Sequence, residues 1–112
     1  MLINVVAKDP DLRVIQKIIK ILNNDGLIVI PTDTIYAFAT SIKSKKGLER
    51  LAKIKNIKLK KANFSLICKD LKEISRFTNP FDRKTFKTLK NSLPGPFTFI
   101  LNANNNISKI FN

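Results

Sequence analysis

Residues 27–40 read Leu-Ile-Val-Ile-Pro-Thr-Asp-Thr-Ile-Tyr-Ala-Phe-Ala-Thr, two apolar runs joined by a short polar connection. The first run, residues 27–30, is wholly apolar and rich in β-branched side chains, and it ends at Pro31. This is the pattern of a strand that is buried on both faces. Residues 35–40 form a second strand-like run, so the segment predicts two strands joined by a tight polar turn.

An amphipathic helix is predicted on each side of this segment. Upstream, Asp9-Pro10-Asp11 supplies an N-cap, a proline at the first helical position and an acid in the first turn, and Gly26 closes the helix. Downstream, Ser44 is the N-cap of a second helix, which should fade within the lysine-rich residues 55–61, a stretch expected to be a flexible loop. The side chains expected to face the core are Leu12, Ile15, Ile18, Ile19 and Leu22 in the first helix and Leu48, Leu51 and Ala52 in the second.

Strands and helices continue to alternate as far as residue 101. Further strands are predicted at residues 2–7, 64–68 and 97–101, with a short helix at residues 70–76 and a longer helix whose N-cap is Asn79 and which buries Phe86 and Leu89. Residues 102–112 show no such pattern and are expected to form a poorly ordered tail. Because apolar strands need cover on both faces, the alternation predicts an α/β sheet with flanking helices, and the length of 112 residues allows one domain.

The chain is strongly basic, with a formal net charge of +13. Such a charge attracts polyanions, among them tRNA, nucleotides and anionic lipid. Lys, Ile and Asn together account for 45 of the 112 residues, so a compositional bias across the whole sequence explains the charge as readily as selection for a polyanionic partner. Both explanations remain open at this point.

Several classes of site are excluded by residue types. The chain has no histidine, which excludes histidine acid/base catalysis and histidine metal ligands. Cys68 is the single cysteine, so no internal disulfide forms, and its apolar neighbours predict a buried, inert thiol. The three glycines form no Walker-type or dinucleotide-binding loop. With neither a long apolar run nor the pattern of a signal peptide, the chain is expected to be cytosolic and not bound to a membrane.

The polar turn after residue 30 is the first candidate site. Thr32, Asp33, Thr34 and Tyr36 place two hydroxyls, a carboxylate and a phenol at the carboxyl end of a strand, where open α/β sheets bind their ligands. The alternative is that threonine and aspartate only stabilise the turn by bonding nearby backbone amides.

Lys55 and the segment Leu93-Pro94-Gly95-Pro96-Phe97-Thr98 are the other two candidates. Lys55 falls on the apolar stripe of its helix, where an inward ammonium would meet an anion such as phosphate. The alternative is that a lysine in the last turn only complements the helix dipole. In the second segment, two prolines around Gly95 make a rigid turn that either brings backbone close to a ligand or only stops the preceding helix.

Basic residues also recur at helical spacing on three helices. Such stripes follow a phosphate backbone in some proteins, and in others they are only the solvated face of an amphipathic helix. The stripes consist of Arg13, Lys17 and Lys20, then Lys46, Arg50 and Lys53, then Arg83, Lys87 and Lys90.

Taken in order, these motifs resemble those of the Sua5/YrdC/YciO family. The turn from Pro31 to Tyr36, a helix that ends at Lys55, a strand, and the turn from Leu93 to Thr98 match the succession P-T-[DE]-T-x-Y, K-x-R and P-G-P-x-T over nearly the whole chain. The resemblance implies a twisted, open YrdC-like α/β sheet with flanking helices and a concave surface. It also implies synthesis of threonylcarbamoyl-adenylate from ATP, L-threonine and bicarbonate, with release of pyrophosphate, for modification of adenosine in tRNA.

The resemblance assigns roles to particular residues. Thr34 and Thr98 would contact the threonine substrate, and Lys55 would meet the nucleotide phosphates as the catalytic cation. Magnesium would arrive with the ATP, and no protein-bound metal is expected. The remaining residues of the implied site are Pro94 in the nucleotide pocket and Thr32, Asp33, Tyr36, Asn63 and Gly95 along its walls and entrance.

Two departures from the family pattern bear on function. Lys55-Asn56-Ile57 stands where the family has K-x-R, which replaces an arginine fork with Ile57 and brings the chain closer to the YciO-like branch. The motifs end before the family's R-V-P-like segment and S-x-N motif, so the expectation is a partial YrdC-like domain over residues 1–112 without the C-terminal part of the fold. The alternative function is a non-catalytic protein that binds nucleotide, tRNA or double-stranded RNA.

Overall fold

The computed structural model describes residues 2–3 and 9–111, which combine five α-helices with one β-hairpin. The strand predicted at residues 2–7 lies, apart from residues 2 and 3, outside the described residues. None of the helices in the described ranges is long and apolar enough to cross a membrane. The elements are α1 (Leu12–Asn23), β1 (Leu27–Pro31), β2 (Tyr36–Thr40), α2 (Lys45–Ile54), a 3₁₀ turn (Leu59–Lys61), α3 (Leu71–Phe77), α4 (Arg83–Ser92) and α5 (Asn105–Phe111).

The two central strands form as the apolar runs predict, and they pair antiparallel with Val29 opposite Phe38 and Pro31 opposite Tyr36. The mixed fold of strands with flanking helices is therefore confirmed. The prediction that the first strand is buried on both faces is wrong, because Val29 is 57% exposed and Phe38 is 48% exposed. The reason is that the sheet in the described part of the chain has only two strands, too few to receive cover on both sides.

Helix α1 begins two residues later than Asp9-Pro10-Asp11 suggests. Its N-cap is Asp11, whose carboxylate accepts a hydrogen bond of 2.8 Å from the backbone N–H of Arg13. The predicted closure at Gly26 is corrected: the C-cap is Asn24, and Asp25 adopts the left-handed backbone with φ of 62°. Gly26 follows it, and its N–H donates to the carbonyl of Ile21 at 2.9 Å. The apolar stripe is only partly covered, and Leu12 remains 66% exposed.

Helix α2 carries most of the buried core. Leu48, Leu51 and Ala52 are 5%, 6% and 2% exposed, which confirms the predicted inward stripe. Ser44 is the N-cap, as predicted, and its Oγ accepts from Gly47 N–H at 2.9 Å. After Ile54 the expected loop includes a single 3₁₀ turn.

Hydrogen bonds connect the N-terminus of α2 to the residues before β1, and the end of β2 to the same residues. Ser44 is buried, and its Oγ donates to the Asp25 carboxylate at 2.5 Å. Thr40 Oγ1 donates to the Gly26 carbonyl at 3.0 Å, on the strand that precedes α2. A Cβ on Gly47 would overlap Thr40 Oγ1 and lie 2.9 Å from Ser44 Oγ, so only glycine allows the helix to approach this closely.

Beyond residue 61 the helices form and the predicted strands do not. Residues 64–68 and 97–101 are assigned no strand, because a strand needs a paired neighbour and the described sheet ends at two. Helix α3 forms within one residue of the predicted bounds, with Asp70 as its N-cap, while α4 is capped by Asp82 and not by Asn79. Leu89 is 1% exposed, as predicted for the core, but Phe86 is 42% exposed because it borders an open hollow.

The C-terminal residues form a helix that the sequence pattern does not predict. Helix α5 occupies residues that were expected to be a poorly ordered tail. The segment before it pairs with the end of α3: Thr78 forms an isolated bridge with Ala103, and Asn79 N–H donates to the Asn102 carbonyl at 2.8 Å. Asn104 Nδ2 donates to the carbonyls of Arg76 and Thr78 at 2.9 and 3.2 Å, so an asparagine tract acts as a C-terminal cap for α3.

Candidate functional site

The candidate turn lies at the tip of the β1–β2 hairpin. Thr32 Oγ1 accepts from the backbone N–H groups of Thr34 and Ile35 at 3.3 and 3.2 Å, and it donates to the Ile35 carbonyl. Thr32 N–H donates to the same carbonyl at 3.2 Å. Thr32 therefore stabilises the turn, which is the structural alternative that the sequence left open.

The other polar side chains of this turn remain accessible. Asp33 and Thr34 are exposed, and Tyr36 is 74% exposed at the start of β2. Thr34 Oγ1 lies 3.4 Å from Thr32 Oγ1, so the two hydroxyls are adjacent. The turn thus presents a hydroxyl pair, a carboxylate and a phenol to solvent on a framework that Thr32 holds in place.

Lys55 does not point into the core. It is the C-cap of α2, its N–H donates to the Leu51 carbonyl at 3.2 Å, and its side chain is exposed. The prediction of an inward ammonium is wrong because the buried part of the stripe ends with Ala52, one turn before Lys55. The position agrees with the alternative that the cation complements the negative end of the helix dipole, and exposure spares the ammonium the cost of burial.

The proline-rich turn stops α4. Leu93 is the C-cap of that helix, and the Leu93–Pro94 peptide bond is cis. A Cβ on Gly95 would lie 2.6 Å from the Ser92 carbonyl oxygen, so glycine is required by the approach of the chain to itself. Pro94 and Thr98 are exposed beside this turn, as is Asn63 in the extended segment after the 3₁₀ turn.

The hollows on the described surface include two that none of the predicted site residues lines. One, of about 570 Å³, lies between α3 and the start of α4, and the other, of about 440 Å³, lies beside the end of α2. The first is lined by Leu71, Ser75, Thr78, Asn79, Phe81 and Phe86 among others, and the second by Glu49, Lys53, Asn56, Ile57, Lys58 and Leu59. The convergence of Thr34, Lys55 and Thr98 on one small molecule stays a prediction.

The electrostatics of α2 and the loop after it are strongly positive. Residues 45–61 contain eight lysines and arginines and one carboxylate, Glu49, and all eight cations are exposed. The basic residues of the three predicted stripes are exposed as well. Residues 45–61 therefore form a strongly positive segment.

The acidic and thiol groups of the described residues were compared with the needs of a metal site. Within residues 2–3 and 9–111, no three Cys, Asp or Glu side chains lie close enough to hold a metal ion. Cys68 is half-buried, less than its apolar neighbours predict. Partial burial raises its pKa, and the carboxylates of Glu73 and Asp70 raise it further, so the thiol is less readily ionised than an ordinary cysteine.

Comparison with known proteins covers most of the chain. Residues 20–112 match the family model Sua5/YciO/YrdC, which carries the description "telomere recombination". The chain is 35% identical to the protein YciO of Escherichia coli K12 over 101 residues, which is 90% of this chain and 48% of YciO. It is 32% identical to the threonylcarbamoyl-AMP synthase of Buchnera aphidicola over 87 residues, which is 76% of this chain and 49% of that enzyme.

The fold agrees with the same comparison. The crystal structure of E. coli YciO matches with a TM-score of 0.76 and 36% identity, over 88% of this chain and 47% of that one. The YrdC-like fold class that the motifs imply is therefore confirmed. The chain spans about half the length of the relatives it matches.

Proposed function

The chain belongs to the Sua5/YciO/YrdC family, and from this premise we propose that it takes part in making threonylcarbamoyl-adenylate and pyrophosphate from ATP, L-threonine and bicarbonate, for modification of adenosine in tRNA. The observation that carries the proposal is the family match over residues 20–112, which contains both polar turns and Lys55. Relatives named threonylcarbamoyl-AMP synthase are 32% and 30% identical over 76% and 80% of the chain. The relatives named YciO carry no stated activity, so the chemistry rests on the synthases.

The proposed chemistry requires positive charge near the transferred phosphate and little covalent participation by the protein. Lys55 is exposed at the end of α2, where its ammonium is free to neutralise negative charge that develops on the phosphates. Where the family has an arginine, Ile57 is 41% exposed and offers no second donor. We therefore expect turnover that depends on Lys55 alone for this contact and is slow for a synthase.

The two polar turns supply the groups that would bind the amino acid and the nucleotide. Thr34 is held at the hairpin tip by the bonds of Thr32, and Thr98 follows the turn at Gly95; both hydroxyls are exposed. A hydroxyl on a turn of fixed shape loses little conformational freedom on binding, which favours recognition of a small zwitterion. Pro94, Asp33, Tyr36 and Asn63 would then border the nucleotide.

Magnesium fits this proposal as a companion of ATP and not as a resident ion. The described residues hold no cluster of three acidic or thiol ligands, whereas Mg²⁺ in nucleotide sites is commonly held by one or two carboxylates and the phosphates themselves. Asp33, exposed on the hairpin turn, is the carboxylate we assign to that contact. The ion would neutralise phosphate charge when bound.

The proposal is tested by measuring pyrophosphate release from ATP in the presence of L-threonine and bicarbonate. Lys55→Ala should reduce turnover by about a hundredfold or more, as expected for removal of a group that stabilises developing charge. Lys60→Ala removes the same charge from the neighbouring 3₁₀ turn and is the matched control, expected to leave turnover unchanged. Release that is independent of threonine would refute the reaction, and unchanged turnover in Lys55→Ala would remove Lys55 from the site.

A second candidate function is binding of tRNA or double-stranded RNA without catalysis. The observation that favours it is the cluster of eight exposed cations in residues 45–61 with a single opposing carboxylate. Each lysine or arginine that neutralises a phosphate releases counterions, so affinity should fall steeply as salt rises.

This candidate is separated from the first by titration of tRNA at several salt concentrations. The triple variant Lys58→Ala, Lys60→Ala and Lys61→Ala should reduce the slope of log affinity against log salt by about two to three. A triple variant with alanine at Arg13, Lys17 and Lys20 on α1 loses the same charge elsewhere and should retain most of the slope. Equal losses in the two variants would mean that net charge alone attracts the RNA.

A further inference from the structure

The connection between α1 and β1 contains a dipeptide with chemistry of its own. Asp25 is followed by Gly26, and it is the one aspartate of the chain that precedes a glycine. The backbone nitrogen after an aspartate is a nucleophile that can attack the side-chain carboxyl carbon and close a succinimide ring. Glycine favours this closure, because it has no side chain to crowd the nitrogen and its backbone is the least restricted. In an unfolded chain Asp25–Gly26 is therefore the most reactive aspartyl pair.

The fold holds the carboxylate of this pair. Ser44 Oγ donates a hydrogen bond of 2.5 Å to the Asp25 carboxylate, which turns that side chain towards the N-terminus of α2. A hydrogen bond to an ionised acceptor is among the stronger kinds, and Ser44 is 5% exposed, so water does not readily replace it. Ring closure needs the carboxyl carbon at bonding distance from the Gly26 nitrogen and not held by another element.

The peptide group that would attack is held as well. Gly26 N–H donates to the Ile21 carbonyl at 2.9 Å, and attack requires this nitrogen to give up its proton. On either side of the nitrogen, Thr40 Oγ1 donates to the Gly26 carbonyl at 3.0 Å and Arg50 Nη1 donates to the Asp25 carbonyl at 3.4 Å. Asp25 itself adopts the left-handed backbone, with φ of 62°. The main chain is thus fixed at both residues of the pair.

We propose that Asp25–Gly26 is a latent isoaspartate site, which the native fold keeps unreactive through the hydrogen bond from Ser44. In the reaction the Gly26 nitrogen bonds to Cγ of Asp25, and the proton of the nitrogen leaves with the hydroxyl of the carboxyl group as one water. A second water then opens the ring. Addition at Cγ restores aspartate, and addition at the main-chain carbonyl gives isoaspartate. No oxidant, reductant or cofactor takes part.

The modification would act on the junction that joins α2 to the hairpin. In isoaspartate the main chain runs through Cβ and Cγ of residue 25, so the connection to β1 gains one carbon atom. The side-chain carboxylate that accepts from Ser44 becomes part of the main chain, and the position of the Gly26 carbonyl beneath Thr40 shifts. Because the pair reacts only when Ser44 releases Asp25, modification traps the open form of this junction and records how often it opens.

Incubation in H₂¹⁸O tests the proposal, because each cycle of closure and opening exchanges one oxygen atom of residue 25 with water. The protein is incubated at neutral pH and digested in ordinary water, and mass spectrometry measures the ¹⁸O in the peptide that contains Asp25. The native chain should gain label at least about tenfold more slowly than the chain unfolded in urea. Asp33, which precedes Thr34, is the internal control and should gain label more slowly than Asp25 in urea.

Two variants test the role of Ser44. Ser44→Ala and Ser44→Asp both release the Asp25 carboxylate, and the second retains a cap for α2, so each should speed labelling of the native chain by about tenfold or more. Asn104→Ala is the matched control. It weakens the fold at the end of α3 and leaves the bonds of Asp25 intact, so labelling should stay within about twofold of the unchanged chain.

Three results would overturn the proposal. Labelling of the native chain as fast as in urea would show that the fold does not restrain the pair, and this comparison needs no variant. Unchanged or slower labelling in both Ser44 variants would mean that the hydroxyl does not protect Asp25. Equal acceleration in Asn104→Ala would make unfolding of the whole chain the cause, in place of release by Ser44.

Discussion

Replacing Ser44 with alanine should lower the free energy of unfolding by about 2.5–4 kcal/mol, because one hydroxyl forms hydrogen bonds to two parts of the fold. Its Oγ accepts from Gly47 N–H at 2.9 Å as the N-cap of α2, and loss of such a cap costs about 1 kcal/mol. The same Oγ donates to the Asp25 carboxylate at 2.5 Å, and a hydrogen bond to a charged group contributes about 1.5–3 kcal/mol. Ser44 is 5% exposed, so water replaces neither bond readily.

Urea denaturation followed by circular dichroism measures this loss of stability. The midpoint temperature of thermal unfolding should fall by about 10 °C. Ser44→Asp separates the two contributions, because aspartate retains the cap but places a second carboxylate against Asp25. Ser75→Ala is the matched control: its Oγ donates to the Lys72 carbonyl within α3 and is exposed, so its removal should change stability by less than about 0.5 kcal/mol. A change of that small size in Ser44→Ala would refute the reasoning.

The cap of α4 provides a prediction about pH, and the C-terminal asparagines provide one about stability. Hydrogen bonds from the side chain and backbone of Thr85 lower the pKa of Asp82. The contribution of this carboxylate to stability is therefore present above its unfolded pKa of about 3.9 and is lost as pH falls further. Asp82→Asn should remove this part of the acid dependence of stability, as measured by urea titrations. Asn104→Ala should cost about 1–2 kcal/mol in the same assay, because Nδ2 caps the carbonyls of Arg76 and Thr78.

Matched variants make both results interpretable. Thr88→Ala removes a hydroxyl that bonds the Lys84 carbonyl within α4 and should leave the acid dependence unchanged. Asn91→Ala changes an exposed asparagine on α4 and should be neutral, which controls for the substitution at Asn104. If Asp82→Asn retained the full acid dependence, other carboxylates would be responsible, and a neutral Asn104→Ala would mean that the α3 carbonyls are satisfied by solvent.

Local signals predicted the helices well because each helix end depends on residues close in sequence. Ser44 is the N-cap of α2 as expected, and Leu48, Leu51 and Leu89 are buried where the helical spacing places them. The starts of α1 and α4 were predicted two or three residues too early, because the sequence offers two possible N-cap residues at each start. The structure uses the one whose oxygen reaches a helical N–H.

The candidate site was only partly accessible to the same reasoning. Motif order located both turns and the end of α2, and family membership agrees with that order. The predicted inward orientation of Lys55 was wrong. Helical spacing indicates which side of a helix a residue occupies, but not how far the neighbouring elements extend along that helix. The bond from Ser44 to Asp25 spans 19 residues, and no local pattern contains it.

The sequence by itself determined helices α1 to α4, the two paired strands, the turn residues and the family, since caps and apolar periodicity act over a few residues, whereas α5 was not predicted. Only the tertiary structure decided which apolar runs become strands and which apolar side chains stay open. Residues 64–68 and 97–101 have the composition of strands but are assigned none, and Val29 and Phe38 of the hairpin remain exposed. The physical reason is that a strand is stabilised by a neighbour's backbone and a face by a covering layer, and both are properties of the assembled fold.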